Sequence, residues 1–140
     1  MTDIEKLRQW LLTYPAWDAG GLLYIDYTDG VPGNSGLFPA GVEEVSRRED
    51  LLGNVTVGYR CRFALYRVTA GGCENGENAQ WLLEFQRWVQ AQSAAGLAPT
   101  FGDDPARERI RAEKGRLDRA SQTGTGTYTV TLTADFVKYY

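Results

Sequence analysis

The chain has 140 residues, a formal net charge of −3 and a hydrophobic content of 43%. This is the usual size of one domain with one packed core, so we expect a single domain over residues 1–140 rather than a disordered chain. The acidic balance is untypical of a dedicated nucleic-acid binder, which needs a basic excess to contact phosphates.

The residue types exclude two common kinds of site. The sequence has no histidine and only two cysteines, Cys61 and Cys73, which are not spaced as a C-x-x-C pair. A zinc site built from four cysteine or histidine side chains and a histidine-dependent nucleophile are therefore impossible within one chain. We expect Cys61 to pack in a strand and Cys73 to lie reduced in a loop. We predict no catalytic residue, no bound metal and no cofactor.

The first segment has the apolar spacing of an amphipathic helix. Thr2 and Glu5 fit a capping box, and Tyr14 followed by Pro15 predicts the end of the helix. Its apolar stripe consists of Ile4, Leu7, Trp10 and Leu11. Residues 22–27 then predict a strand, and the glycines and prolines of residues 28–39 predict a loop.

A β-hairpin is predicted next. Its first arm is residues 42–48, its turn lies at Gly53-Asn54, and its second arm begins at Val55. Strict alternation in the second arm predicts one core-facing set. That set is Val55, Val57, Tyr59, Cys61, Phe63 and Leu65. Residues 70–78 predict a further loop, in which Asn75 or Asn78 could cap the following helix.

The second half of the chain contains one ambiguous segment. A helix is predicted before Gly96, and a loop over residues 97–105. The helix carries a wide apolar face of Trp81, Leu82, Phe85, Trp88 and Val89. Residues 106–119 favour a helix by composition, but their apolar residues are too few to decide. Residues 127–136 alternate threonines with apolar residues and predict a strand with one buried face, preceded by a turn at residues 123–126.

This order of elements predicts an α+β fold, with a mostly antiparallel β-sheet and two helices packed on one face. No apolar run is long enough to span a membrane, and the first residues lack the pattern of a signal peptide. We therefore expect a protein made in the cytoplasm, with no membrane partner. Five aromatic residues in predicted loops or at the terminus are expected to be exposed and to contact a partner: Trp17, Phe38, Phe101, Tyr139 and Tyr140.

Two charged segments are candidate interfaces. A basic stretch covers residues 107–119 and includes Arg107, Arg109, Arg111 and Arg116, whereas an acidic region covers residues 43–50 and includes Glu43, Glu44 and Glu49. Each could simply be a solvated surface. The alternative is that they are complementary faces of a protein contact, since charge complementarity sets partner and register. Direct contact with DNA is the third choice, because acidic residues dilute the basic stretch.

Three stretches, taken in order, resemble the tail terminator, or tail completion, proteins of long-tailed bacteriophages, some of which are called minor capsid proteins. The first is the amphipathic segment at residues 3–11, and the second is residues 81–89 before a Gly-Leu-Pro-type loop. The third runs from Ile110 through Gly115-Arg116-Leu117 to residues 126–132, where the family has two closing strands. The resemblance makes residues 109–120 a strand, which we adopt because a hairpin gives the last strand a partner.

The resemblance implies a structural virion protein of a phage or prophage. Such a protein forms a ring, most often of six subunits, at the head-proximal end of the tail tube. It ends tube polymerisation and offers a surface to the head-completion or connector protein, while DNA passes through the ring without sequence-specific contact. The implied partners are further copies of the chain, the major tail tube protein and the connector, and the implied location is the virion tail, assembled in the host cytoplasm.

Two alternatives stay open. One is another head–tail connector or tail-assembly protein of similar size. The other is a small ligand-binding or enzymatic domain that uses carboxylates of the loop at residues 28–39. A deep pocket with convergent polar groups would favour this second alternative.

Overall fold

A computed structural model describes residues 2–17, 20–70, 76–120 and 124–140. Five strands form one sheet in the order β1-β2-β3-β5-β4, and β1 pairs with β2 in parallel while the other neighbours are antiparallel. The elements are α1 (Asp3–Leu11), β1 (Leu23–Ile25), β2 (Ser35–Glu49), β3 (Val55–Ala70), α2 (Gly76–Ala94), a 3₁₀ turn (Pro105–Arg107), β4 (Arg109–Ala120) and β5 (Thr125–Tyr139). The predicted α+β class, with a mostly antiparallel sheet, is confirmed.

Helix α1 begins as its sequence predicts. The Thr2 hydroxyl oxygen accepts a hydrogen bond from the backbone N–H of Glu5 at 3.3 Å, which satisfies one of the free donors of the first turn. The helix ends at Leu11, earlier than predicted. The N–H groups of Thr13 and Tyr14 bond three residues back, to Trp10 and Leu11, so the chain tightens before Pro15 is reached.

The core lies between the two helices and one face of the sheet. Phe85 of α2 is fully buried at its centre, stacked on Trp81 with ring centroids 5.2 Å apart and meeting Tyr14 edge-on at 5.3 Å. Trp10 of α1 stacks on Trp88 of α2 at 4.9 Å, which joins the two helices. One face of the sheet forms the other side of the core. Its buried apolar residues include Phe63, Leu65, Val130 and Leu132.

The predicted loop at residues 28–39 is too long. Its last five residues, 35–39, belong to β2, where Ser35 pairs with Leu23 on one side and with Arg67 on the other. Pairing on both sides makes this glycine-rich stretch a strand, and residue 36 must be a glycine because an added Cβ would lie 2.5 Å from the Tyr27 carbonyl oxygen. The first strand is also shorter than predicted, and Asp26, with φ +57°, turns the chain after Ile25.

The ambiguous segment is a strand, as the resemblance implied. Strand β4 pairs with β5 from Arg109 to Ala120, and the ladder contributes more than the helix propensity of the residues. The ladder is interrupted by a bulge between Glu113 and Arg116, where Lys114 has φ +59°. At this bulge the Gly115 N–H donates to the Gln86 side-chain oxygen of α2 at 2.9 Å.

The smaller expectations on single residues and faces have mixed outcomes. Asn78 does not cap α2, because it lies inside the helix and is buried. Strand β5 does not have a single buried face, since Thr129 and Thr133 on its opposite face are also buried. Cys61 lies half-buried in β3 as predicted, and burial raises the pKa of its thiol. The predictions for Asn75, Cys73 and Thr123 concern residues outside the described ones.

Candidate assembly surfaces

Strand β2 leaves the covered part of the sheet and becomes an exposed edge. Strand β1 pairs with residues 35–37 of β2, and within the described part of the chain the rest of β2 has a neighbouring strand on one side alone. All residues from 39 to 54 are exposed, including Val42 and Val45. We call residues 39–56 the hairpin arm. An unpaired edge with exposed valines is a surface suited to contact with another chain.

The turn at the end of the hairpin arm is rigidly built. One oxygen of the Asp50 carboxylate accepts from the N–H groups of Leu52 and Asn54, both at 2.9 Å, and the other accepts from the Asn54 side-chain amide at 3.0 Å. Two hydrogen bonds from Asn54 lower the pKa of Asp50 and keep the carboxylate charged. The bond from the Asn54 side chain has the larger effect, and the bond from its backbone N–H follows. Leu51 and Leu52 form the apex, with relative exposures of 105% and 88%.

The acidic residues predicted as an interface differ in whether their carboxylates already bind a basic side chain of the same chain. Glu43 accepts from Arg62 at 2.8 Å, and Glu44 accepts from Arg47 at 2.8 Å, so both carboxylates have partners within the chain. Glu49 is exposed beside the tip. Of the predicted acidic region, the end next to Leu51 therefore offers the more accessible negative charge.

The basic residues lie on the opposite edge of the sheet. Strand β4 is the last strand on that side, and Arg107 and Arg109 are exposed at its beginning. Arg116 is 64% exposed and lies 3.4 Å from Asp118. Arg111 instead binds Asp135 of β5 at 3.1 Å, so its charge is used within the subunit. The structure thus separates the predicted acidic and basic surfaces by the full width of the sheet.

Asp135 is the centre of an ion network on the sheet face opposite the helices. Arg60 donates to one of its oxygens at 2.7 Å, and Arg111 donates to the other at 3.1 Å. Burial opposes the ionisation of Asp135, but the hydrogen bonds from Arg60 and Arg111 outweigh it and lower the pKa of the carboxyl group. The network covers the buried hydroxyl of Thr133, which donates to Glu113 at 3.3 Å.

The lowered pKa of Asp135 predicts a pH-dependent contribution to stability. The folded carboxyl group has a pKa below its ordinary value of 3.8, so its contribution is fully present above that pH and is lost as the pH falls through the folded pKa. We expect Asp135→Asn to lower the free energy of unfolding at pH 7, and we expect the difference between variant and wild type in this free energy to become smaller as the pH falls below 3.8. Urea unfolding of both proteins at several pH values measures this, and a constant difference would contradict the assignment.

The loop at residues 28–39, predicted as the alternative carboxylate site, is stabilised by hydrogen bonds to the side chain of Asp29. Asp29 accepts from the Val31 N–H at 2.9 Å, from the Asn34 amide at 2.9 Å and from the Tyr24 hydroxyl at 3.1 Å. The bond from the Val31 backbone is the largest of the effects that lower its pKa. The carboxylate organises the loop through these hydrogen bonds, and Asp29 also lines the hollow next to the loop. Within the described residues, no three acidic or cysteine side chains form a metal cluster.

Phe38 lies in a shallow hollow next to this loop. Its ring meets Tyr66 edge-on with centroids 5.4 Å apart, and the hollow has a volume of 700 Å³. Phe38 is half-buried and so is less available than the sequence suggested. Tyr139 and Tyr140 are exposed as predicted, but Phe101 is buried against Phe136, so the predicted exposure of Phe101 is wrong. Trp17 is half-buried against Trp81.

Sequence reasoning missed the leucines at the tip. The signal was present, because Asp50 stands before Leu51-Leu52 and Gly53-Asn54 follows, which is the composition of a turn closed by an aspartate side chain. A hydrophobic pair at the apex of such a turn is forced into solvent unless a partner covers it. Asp135 and the two arginines that it binds were not predictable as a cluster, since they come from three strands.

The sequence was compared with protein-family models and with curated proteins. No family model matches it, and no curated protein matches it either. Within the described residues, no helix is both long enough and apolar enough to cross a membrane.

Proposed function

We propose that this protein is a ring-forming structural subunit of a phage or prophage tail, of the tail terminator type. The observation that supports this most is the placement of the exposed hairpin arm and the basic strand β4 at opposite edges of one sheet. A ring of identical subunits needs two different, complementary surfaces on each subunit, set apart so that a chain cannot satisfy itself. The two edges have these properties.

The proposal also gives a role to the acidic balance of the chain. Its net charge is −3, and an acidic lumen does not retain DNA as it passes, because phosphates are repelled. The subunit would end the growth of the tail tube on one side of the ring and receive the connector on the other side. Further copies of the chain, the tube protein and the connector are the partners in this proposal.

Growth of tail tubes in vitro tests the function directly. Tube protein encoded in the same genome is polymerised with and without this protein, and tube lengths are measured in negative-stain images. We expect shorter tubes, each with one decorated end, when the protein is present. Tubes of unchanged length and undecorated ends would contradict the terminator role. Decoration along the whole tube would indicate a tail-assembly protein of another kind.

A charge reversal tests the basic edge. We expect Arg107→Glu combined with Arg109→Glu to reduce ring formation at least about tenfold, because it places negative charge opposite an acidic neighbour. Both side chains are exposed, so the monomer should keep its circular dichroism spectrum. The reversal of Arg111 is unsuitable, since it would also break the contact with Asp135 inside the subunit. A fully assembled ring of the double variant, measured by native mass spectrometry, would exclude Arg107 and Arg109 from the interface.

A further inference from the structure

We infer that the tip of the hairpin arm, Leu51 and Leu52, docks into the groove between α2 and β4 of a second copy of this chain. The inference rests on the proposed ring function and names the contact that joins neighbouring subunits. The interface predicted from the sequence consisted of charged residues. In the contact inferred here, apolar side chains of the tip bind the groove, and the surrounding charges set the register.

The tip is a preformed apolar anchor. Leu51 and Leu52 are 105% and 88% exposed, which is unusual for adjacent leucines in a turn closed by hydrogen bonds. Asp50 fixes the turn before any partner arrives, so little conformational entropy is lost on docking. Exposed apolar side chains on a rigid projection are typical of a binding site.

The groove is the counterpart of the tip in shape and polarity. It is a hollow of 500 Å³ between α2 and β4, and its apolar lining includes Ala79, Leu83 and Leu117. Leu83 and Leu117 are 49% and 38% exposed. The bulge in β4 lies at this space, and its Gly115 approaches α2 so closely that an added Cβ would lie 2.5 Å from the Gln86 side-chain oxygen.

The charges around the tip and the groove are opposite. Glu49 and Asp50 precede the two leucines, and both are exposed. Lys114 and Arg116 line the groove and are exposed as well, and Lys114 is the basic residue of the pair that does not share its charge with Asp118 at 3.4 Å, as Arg116 does. A second copy of the chain therefore presents an apolar pair with acidic neighbours to an apolar groove with basic neighbours. This complementarity favours a copy of the chain over an unrelated partner as the occupant.

The positions of the tip and the groove exclude docking within one chain. The tip follows the end of β2 that β1 does not cover, and the groove lies beside β4 at the other edge of the sheet. They also lie at opposite ends of the strands, because Arg116 pairs with Thr129 and Thr129 pairs with Tyr66, about 36 Å along β3 from Val55 at roughly 3.3 Å per residue. The contact is therefore head-to-tail, and contacts of this kind close into rings when the rotation permits.

Serine substitutions test the contact against a matched control. We expect Leu51→Ser with Leu52→Ser to raise the dissociation constant for self-association at least about tenfold, and Leu83→Glu in the groove to do the same. The control is Leu22→Ser with Leu97→Ser, two leucines that are 52% and 63% exposed elsewhere, and it should change the constant less than about twofold. Sedimentation velocity measures association, and circular dichroism verifies that each variant is folded.

A crosslinking experiment locates the contact without relying on loss of function. Benzoylphenylalanine replaces Leu52 in one isotope-labelled copy, which is irradiated with an unlabelled copy at high concentration, and the crosslinked peptides are identified by mass spectrometry. We expect links between chains to residues 79–86 or 112–117. Links elsewhere, no links, or normal association of the serine variant would each overturn the inference.

The outcomes for the docking contact and for the ring are distinguishable. Rings that persist in the tip variant would overturn the contact and leave the proposed function standing. Links to the groove in open chains, without closed rings, would support the contact and count against the terminator function. Closed rings together with links to the groove support both.

Discussion

Replacement of Phe85 with alanine is expected to lower the free energy of unfolding by about 3–5 kcal/mol. The ring is fully buried and contacts Tyr14, Trp81 and Trp88, so its removal leaves a cavity where both helices meet the sheet. Domains of this size have a total stability of about 5–15 kcal/mol, and the loss is therefore a large fraction of it. Urea unfolding at a concentration too low for self-association measures the change.

Leu83→Ala is the matched control for Phe85→Ala. Leu83 lies on the same helix two residues away, but it is 49% exposed. Its replacement should change the free energy of unfolding by no more than about 0.5 kcal/mol. Equal losses for the two variants would mean that the inner face of α2 is not the one described.

Replacement of Glu108 with alanine is expected to lower the free energy of unfolding by about 2–4 kcal/mol. One oxygen of Glu108 accepts from the backbone N–H groups of Phe101 and Gly102, at 2.6 and 2.8 Å. These two donors lose their partner in the variant. The loop that they hold also binds β5, through the bond from the Asp103 N–H to the Val137 carbonyl oxygen at 2.8 Å.

Glu108→Gln is the matched control for this loop. Glutamine retains one acceptor oxygen, so we expect a loss smaller than that of Glu108→Ala. Hydrogen exchange gives a local readout, because the amides of Phe101 and Gly102 should exchange faster in the alanine variant than in the glutamine variant. Unchanged protection of both amides in Glu108→Ala would contradict the role of this side chain.

The parts of the fold that could be predicted are those specified by local periodicity. The apolar stripe of α1, the face of α2 and the alternation of β3 each repeat over several turns or residue pairs, and the structure buries Leu7, Phe85 and Leu65 accordingly. Strand β4 was different, because its composition favours a helix. The resemblance implied a strand, and the need of β5 for a partner, which is a property of the whole sheet, was the physical reason to adopt it.

The errors arose where distant residues decide the local structure. Residues 35–39 are rich in turn formers, yet pairing with β1 and β3 makes them a strand. Phe101 follows a proline-rich loop, yet Glu108 and Phe136 hold it inside. In the candidate site, the sequence identified the charged segments but not which charges are free, because the partners of Glu43 and Arg111 lie on other strands.

Native mass spectrometry of the intact protein over a concentration series, with negative-stain images of the largest species, tests the ring most directly. We expect one closed species, a hexamer. The fraction of protein in this species should increase with concentration, and the images should show a ring with a central hole. We also expect the Leu51→Ser, Leu52→Ser variant to be monomeric under the same conditions. A wild-type protein that stays monomeric at every concentration, and also leaves the ends of tail tubes undecorated, would contradict the account.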